Sequence, residues 1–348
     1  MPDLAPQALL AGARAGDRRA LARLLSVVER DGVHTREAAA LVFATAGEGR
    51  VVGITGAPGA GKSSLIAALI GHRRNGGERV AVLAVDPSSP LSGGAVLGDR
   101  VRMQAHAADE GVFVRSMASR GVPGGLAPAV PDAVRVFDAA GWPWVLVETV
   151  GVGQSDVDVR LVADTVVVVV NPGWGDDVQV EKAGLLEIAD IVVVNKADRP
   201  GADQARAVLD GMLDLVPTTS GWRPPVVATS AIGGRAGVGE LWAAIDDHQA
   251  WLGPSGLLSG VPGPSGPLSG DPGPSRAPGQ EGRRGVRRRA RLADELRWLV
   301  DARAGRPGLR RCSGPKYDEA VAAMATGRLD PRSAADAILG APGEAGGN

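Results

Sequence analysis

Cysteine is nearly absent. The single Cys312 allows no intramolecular disulfide, and the four histidines, His34, His72, His106 and His248, are scattered. No Cys/His spacing of a structural zinc or metallochaperone site appears, so these five residues read as structural. Aromatics are only 3% of a chain that is 44% hydrophobic, so the core must be built from Val, Leu, Ala and Ile. Charge of one sign is lacking as well: 38 Lys+Arg face 39 Asp+Glu, a formal charge of -1. No overall field draws the chain to nucleic acid or an anionic membrane, so binding must come from a local site. Apolar runs such as Val166 to Val170 fall far short of the roughly 20 residues of a membrane helix. The N-terminus, with Asp3 and alternating Ala, Arg and Leu, lacks the order of a secretory signal. The expected setting is the cytoplasm, with neither a membrane nor nucleic acid as partner.

Glycine and proline, by contrast, are plentiful at 50 and 25 residues, and they punctuate the 348-residue chain. Residues 1–46 are expected to be a helical extension: Asp17 can cap a helix whose Leu21, Leu24, Leu25 and Val28 form one stripe. From Arg50, short Val/Ile runs alternate with helical stretches: Val51–Thr55, Val80–Val85, Val112–Arg115, Trp144–Glu148, Thr165–Val170, Ile191–Val194 and Val226–Ala228. Alternation of this kind predicts an α/β class, a doubly wound, mostly parallel sheet over residues 47–252. The strands are continuously apolar, as expected when helices cover both faces. After Trp251 a decamer starts at Gly253 and again at Gly263 with eight of ten positions identical, and residues 253–282 read as a flexible linker. Residues 283–348 are expected to be a helical arm. Its basic run Arg283 to Arg291, read as a solvated face in preference to a nucleic-acid surface, leads into a helix carrying Leu292, Leu296, Leu299 and Val300. A last helix is signalled by Asp330 and Pro331 and runs through Ala334, Ala335 and Ile338 to Gly340. A helix pair beyond a linker has little surface of its own to bury, which favours a dimer arm.

The chemistry lies in the loops after the strands. Gly56-Ala57-Pro58-Gly59-Ala60-Gly61-Lys62-Ser63, followed by Ser64 and a helix, is G-x-x-x-x-G-K-[ST] in its required context of strand, loop and helix. Its glycines allow backbone amides to form an anion nest, Lys62 can bridge terminal phosphates, and the Ser63 hydroxyl can ligate Mg2+. Asn195-Lys196-Ala197-Asp198 follows a strand about 130 residues later. A carboxylate at Asp198 can accept from guanine's ring NH and exocyclic amine together. Adenine offers no such donor pair, a loss of roughly 1–3 kcal/mol, so the expected ligands are GTP and GDP. Ser230 and Ala231, after the next strand, complete the expected base pocket. Glu148-Thr149-Val150-Gly151 is similar to the D-x-x-G of nucleotide switches, with Glu148 able to hold Mg2+ through water and Gly151 able to bring its amide to the γ-phosphate. Asp86 and Asp99 either complete the Mg2+ shell or cap turns. Gln154 can orient the attacking water, although its offset from Gly151 is unusual.

Taken together, GAPGAGKSS at 56–64, VDPSSPLSGGAVLGDRVRM at 85–103, VRSMASRG at 114–121, ETVGVGQSD at 148–156, the block 171–198 and YDEAV from Tyr317 closely resemble the MeaB/ArgK family. The resemblance spans nearly the whole chain except the linker. It implies a P-loop NTPase of the SIMIBI class, usually a homodimer, that hydrolyses GTP as a chaperone of adenosylcobalamin-dependent methylmalonyl-CoA mutase or a related acyl-CoA mutase. In the family the positions of Lys62, Ser63, Asp86, Asp99 and Glu148 serve phosphate and magnesium. The segment matching Gly173 to Lys182 signals to the mutase, with Gln179 and Lys182 as the signalling residues. Older family names describe an arginine/ornithine transport-system kinase or ATPase, and an ATP-dependent kinase is the competing expectation.

Overall fold

A computed structural model describes residues 5–30, 32–86, 106, 108–118, 129–149, 158–173, 179–215, 221–232, 236–254, 282–304 and 312–340, without the side chains of Asp86 and residues 179–183. The chain divides into two compact units, one of Met1–Gly49, Arg135–Gly141 and Trp251–Asn348, the other of Arg50–Val134 and Trp142–Ala250.

The second unit is built on a parallel sheet of seven strands: β1 (Arg50–Thr55), β2 (Val80–Asp86), β3 (Val112–Ala118), β4 (Trp144–Glu148), β5 (Thr165–Val170), β6 (Ile191–Asn195) and β7 (Val226–Thr229). These are the seven apolar runs of the sequence, in the order β3-β2-β4-β1-β5-β6-β7. The chain leaves β1 toward β2, returns through β4, and then builds outward on the other side, which is the doubly wound pattern. Alternate strand residues feed opposite cores. Val167, Val169, Ile191 and Val193 pack with Leu65, Ile66 and Leu69 of α4 (Lys62–Asn75) and with Leu241, Trp242 and Ile245 of the helix Val238–Leu252. Val166, Val168, Val192 and Val194 pack on the other face with Leu186 of the helix Gln179–Ile188 and with Leu209 and Leu213 of the helix Ala202–Leu215. Burial on both faces is why these strands carry no polar alternation. Gly53 in β1 admits a close neighbour: a Cβ there would lie 2.4 Å from Val159 Cγ2 and 2.9 Å from the Ala163 Cβ. Asp164 completes this approach, its carboxylate accepting from the Val51 amide at 3.0 Å.

The first unit is helical. α1 (Pro6–Arg14), α2 (Arg18–Glu29) and α3 (Val33–Thr45) form the N-terminal part, and Asp17 caps α2 by accepting from the Arg19 and Ala20 amides at 2.8 and 3.2 Å. In chain order after α4, the helices Val130–Ala139, Gln179–Ile188, Ala202–Leu215 and Val238–Leu252 are α5 to α8. They are followed by α9 (Arg283–Ala304), α10 (Pro315–Ala325) and α11 (Pro331–Leu339). Two expectations need correcting. Among the described residues the C-terminal part holds three helices where a pair was expected: α10 lacks a side-chain cap, and its start is marked by Gly314 and Pro315 ahead of the buried Tyr317, Ala320, Val321 and Met324. The basic run does not precede a helix but forms its first turns. The apolar stripes of α9, α10 and α11 close on one another and on Phe43 of α3, so that core is covered from within the chain. Inside it, Arg135 forms a two-pronged ion pair with Glu295, one prong being Nη1 to Oε1 at 2.9 Å, while its guanidinium stacks over Phe43.

Candidate nucleotide site

β1 runs straight into the glycine-rich loop and then into α4, all at the carboxyl end of the sheet. Three glycines of the loop take positive φ: Gly56 at 131°, Gly59 at 75° and Gly61 at 95°. A side chain at Gly56 would place Cβ 2.0 Å from the Val169 carbonyl oxygen, and one at Gly61 would place it 2.5 Å from Asn195 Nδ2. Gly61 stands at the N-cap of α4 and offers no side-chain cap, unlike Asp17 at α2 and Asp330 at α11. The positive end of α4 is thus presented to an anion in place of a built-in carboxylate. Lys62 is buried and folds its ammonium back along the loop, donating to the carbonyls of Gly56 at 2.6 Å and Ala57 at 3.2 Å.

Strand order supplies the second component. Because β4 lies directly beside β1, with Ile54 opposite Glu148, the Glu148 carboxylate reaches the first turn of α4. Ser63 Oγ donates to Glu148 Oε1 at 2.7 Å, both residues being at most 5% exposed. Asp86 closes β2, the strand on the far side of β4, so its backbone lies at the same end of the sheet. Gly151, Gln154 and Asp99 lie outside the described residues. Gln179 and Lys182 lie in α6, with side chains outside the description.

The third component follows β6 and β7. Asn195 is 1% exposed; its Nδ2 donates to the Ala60 carbonyl at 2.9 Å and its Oδ1 accepts from Thr229 Oγ1 at 3.1 Å. It ties the base loop to the phosphate loop and to β7. Lys196 adopts φ 61°, the single non-glycine with positive φ among the described residues, and its Nζ donates to the Gly59 carbonyl at 2.6 Å. Its aliphatic stem spans the interval between the two loops. Asp198 is exposed, and the Ser230 hydroxyl donates to its Oδ1 at 2.7 Å. That hydrogen bond, with a backbone amide and the nearby cations Arg199 and Lys196, holds the Asp198 carboxyl below the usual carboxylate range. The acid is ionised and aimed by Ser230, while Ala231 follows in the same turn. Three threonines not anticipated from sequence complete the arrangement: Thr229, holding Asn195, and the pair Thr55 and Thr149 at the tips of β1 and β4. A threonine at the end of an apolar run signals only the strand.

Comparison with known proteins bears on the family and the fold. The family described as Methylmalonyl Co-A mutase-associated GTPase MeaB matches residues 21–261. A Pyrococcus abyssi homologue is 45% identical over 93% of each chain. The GTPase ArgK of Escherichia coli is 38% identical over 71% of this chain and 77% of its own. The mouse mitochondrial methylmalonic aciduria type A homolog is 34% identical over 72% of this chain and 65% of its own. Among solved structures, an LAO/AO transport system kinase aligns over 97% of this chain and 98% of its own, with a TM-score of 0.65 and 25% identity. The chain is a guanine-nucleotide-binding GTPase and belongs to the MeaB family.

Proposed function

We propose that this GTPase is a chaperone of a cobalamin-dependent acyl-CoA mutase, methylmalonyl-CoA mutase first among them, and that it gates the loading of adenosylcobalamin and protects the loaded enzyme. The observation that carries the nucleotide half is the aimed, ionised Asp198 beside a phosphate loop whose lysine and helix end favour anions. The partner half is supported by family membership and by the likeness to the mouse methylmalonic aciduria type A homolog.

In this reading Gly56 to Ser64 cradle the phosphates, and Lys62 exchanges its loop carbonyls for phosphate oxygens. Asp198, Ser230 and Ala231 read the base, with the Lys196 stem against the ring. Ser63 and Glu148 offer a hydroxyl and a carboxylate oxygen 2.7 Å apart, a hard, buried donor set that fits Mg2+. Bound there, the ion would neutralise charge on the phosphates. Asp86 and Asp99 are the further candidates for its shell. Gly151 and Gln154 are assigned to the terminal phosphate and the attacking water on the likeness to nucleotide switches, and Gln179 and Lys182 to signalling on the family resemblance. The same resemblance supports a homodimer, and the near absence of cysteine supports a cytoplasmic setting. In the described residues no helix is long and apolar enough to cross a membrane.

The test is GTP turnover with and without purified methylmalonyl-CoA mutase. A change in rate together with co-elution supports the reading, and neither effect with any cobalamin-dependent acyl-CoA mutase overturns it. A second reading, an ATP-dependent kinase, draws on the likeness to the LAO/AO transport system kinase. It requires ATP to be preferred despite Asp198.

A further inference from the structure

Two threonines that the proposed chemistry does not use meet where the phosphate loop and β4 come closest. Thr55 is the last residue of β1, immediately before Gly56, and Thr149 immediately follows Glu148. The Thr149 hydroxyl donates to the Thr55 hydroxyl at 2.8 Å. The Thr149 amide donates to the Ile54 carbonyl at 3.2 Å, one rung beyond the Ile54 and Glu148 register pair. Both side chains are buried, at 0% and 2% exposure.

Stability alone does not account for this pair. Valine has the same branched shape, and replacing both partners of a buried hydrogen bond with apolar isosteres is nearly neutral or even stabilising. A hydroxyl pair adds direction: it fixes the separation and relative height of two strand tips, which a valine contact leaves softer. What those tips carry is specific. Eight residues beyond Thr55 stands Ser63, and one residue before Thr149 stands Glu148, the two oxygen donors that touch each other at 2.7 Å. A small rise of β4 against β1 would pull the carboxylate from the hydroxyl.

We infer that the Thr55 and Thr149 hydroxyl pair is a positioning contact that holds Glu148 in register with Ser63 for a divalent cation. The inference rests on the assignment of Ser63 and Glu148 to Mg2+ above. In this reading both threonines act through their neighbours, Glu148 and the loop that begins at Gly56. Outer partners that orient ligands typically govern metal affinity by about 10- to 100-fold.

The experiment is calorimetric titration of GDP into the full chain, in EDTA and in excess Mg2+, beside melting temperatures and steady-state kcat and KM. The parent binds GDP more tightly with Mg2+. In Thr149→Val and in Thr55→Val that enhancement falls by about ten-fold, while affinity in EDTA stays within about two-fold and kcat drops more than KM rises. Thr149→Ser keeps the hydroxyl and keeps the parental enhancement. The double variant Thr55→Val/Thr149→Val regains the parental melting temperature but not the enhancement, and it serves as the folded probe should a single variant fail to fold. Parental enhancement in the valine variants overturns the inference, as does an enhancement in the double variant that recovers together with its melting temperature. A parent that binds no GDP, or binds it without regard to Mg2+, removes the site reading itself and is recognised before any variant is made.

Discussion

Asp158 shows how one side chain can set a stability profile. It stands ahead of the 3-10 turn Val159–Leu161, and burial pushes its carboxyl up to about 6, with Arg160 opposing. An unfolded aspartate titrates near 3.9, so between about pH 4 and pH 6 the folded chain holds a proton that the unfolded chain has lost. The stabilising contribution is therefore complete below about pH 4, declines as pH rises, and is gone above about pH 6. Asp158→Asn cannot ionise. It is expected to melt higher than the parent at about pH 8 and at the same temperature at about pH 4. Thermal scans that show the same difference at both values would contradict this. Asp198 is shifted the opposite way, chiefly by the Ser230 hydrogen bond, and so remains an acceptor for the base through the neutral range. Its identity was legible in the sequence because the four-residue motif follows an apolar run. Ser230 was legible as the residue after the next strand, but the support from Thr229 was not, since it depends on β7 lying beside β6, which is a property of the sheet.

At the scale of elements, β1 is held by what its middle residue leaves out. Gly53→Ala drives a methyl group into Val159 and Ala163 and is expected to cost about 1–3 kcal/mol in denaturant unfolding. Adding Val159→Ala removes the 2.4 Å clash and should recover part of the loss. Equal stability of the single variant and the parent would show that the strand and the Val159 turn separate easily. In the helical unit, Arg135→Met strips the cation from the buried Glu295 carboxylate and should cost about 3–5 kcal/mol. The paired change with Glu295→Leu is expected to return close to the parent, and urea melts of the three variants decide it. The seven strands were readable as apolar runs because both faces of the sheet are covered. Their lateral order was not: nothing in the spacing of Trp144–Glu148 places it between β2 and β1, yet that placement brings Glu148 to Ser63.

For the whole molecule, the linker is where sequence and structure bear most directly on one another. Arg283 donates to the Trp251 carbonyl at 3.3 Å and stacks over the Trp251 ring, and Arg284 donates to the Gly253 carbonyl at 2.8 Å. The chain thus re-enters α9 close to where it left α8. Replacing residues 255–281 by a short Gly/Ser bridge should leave the melting temperature within about 2 °C and GTP turnover unchanged. A large fall in either would give the repeat a structural part. The same contacts show why the arginine run was hard to read from composition: its first members serve a chain crossing, not a solvated face alone. Guanine selection at a phosphate loop is the central claim. Calorimetric titration of GTP and of ATP, each with Mg2+, into the parent and into Asp198→Asn tests it most directly. The parent should prefer GTP, and the variant should lose at least about ten-fold of that preference, the loss of a charge-assisted hydrogen-bond pair. A parent that binds both nucleotides equally, or a variant with an unchanged ratio, would contradict it.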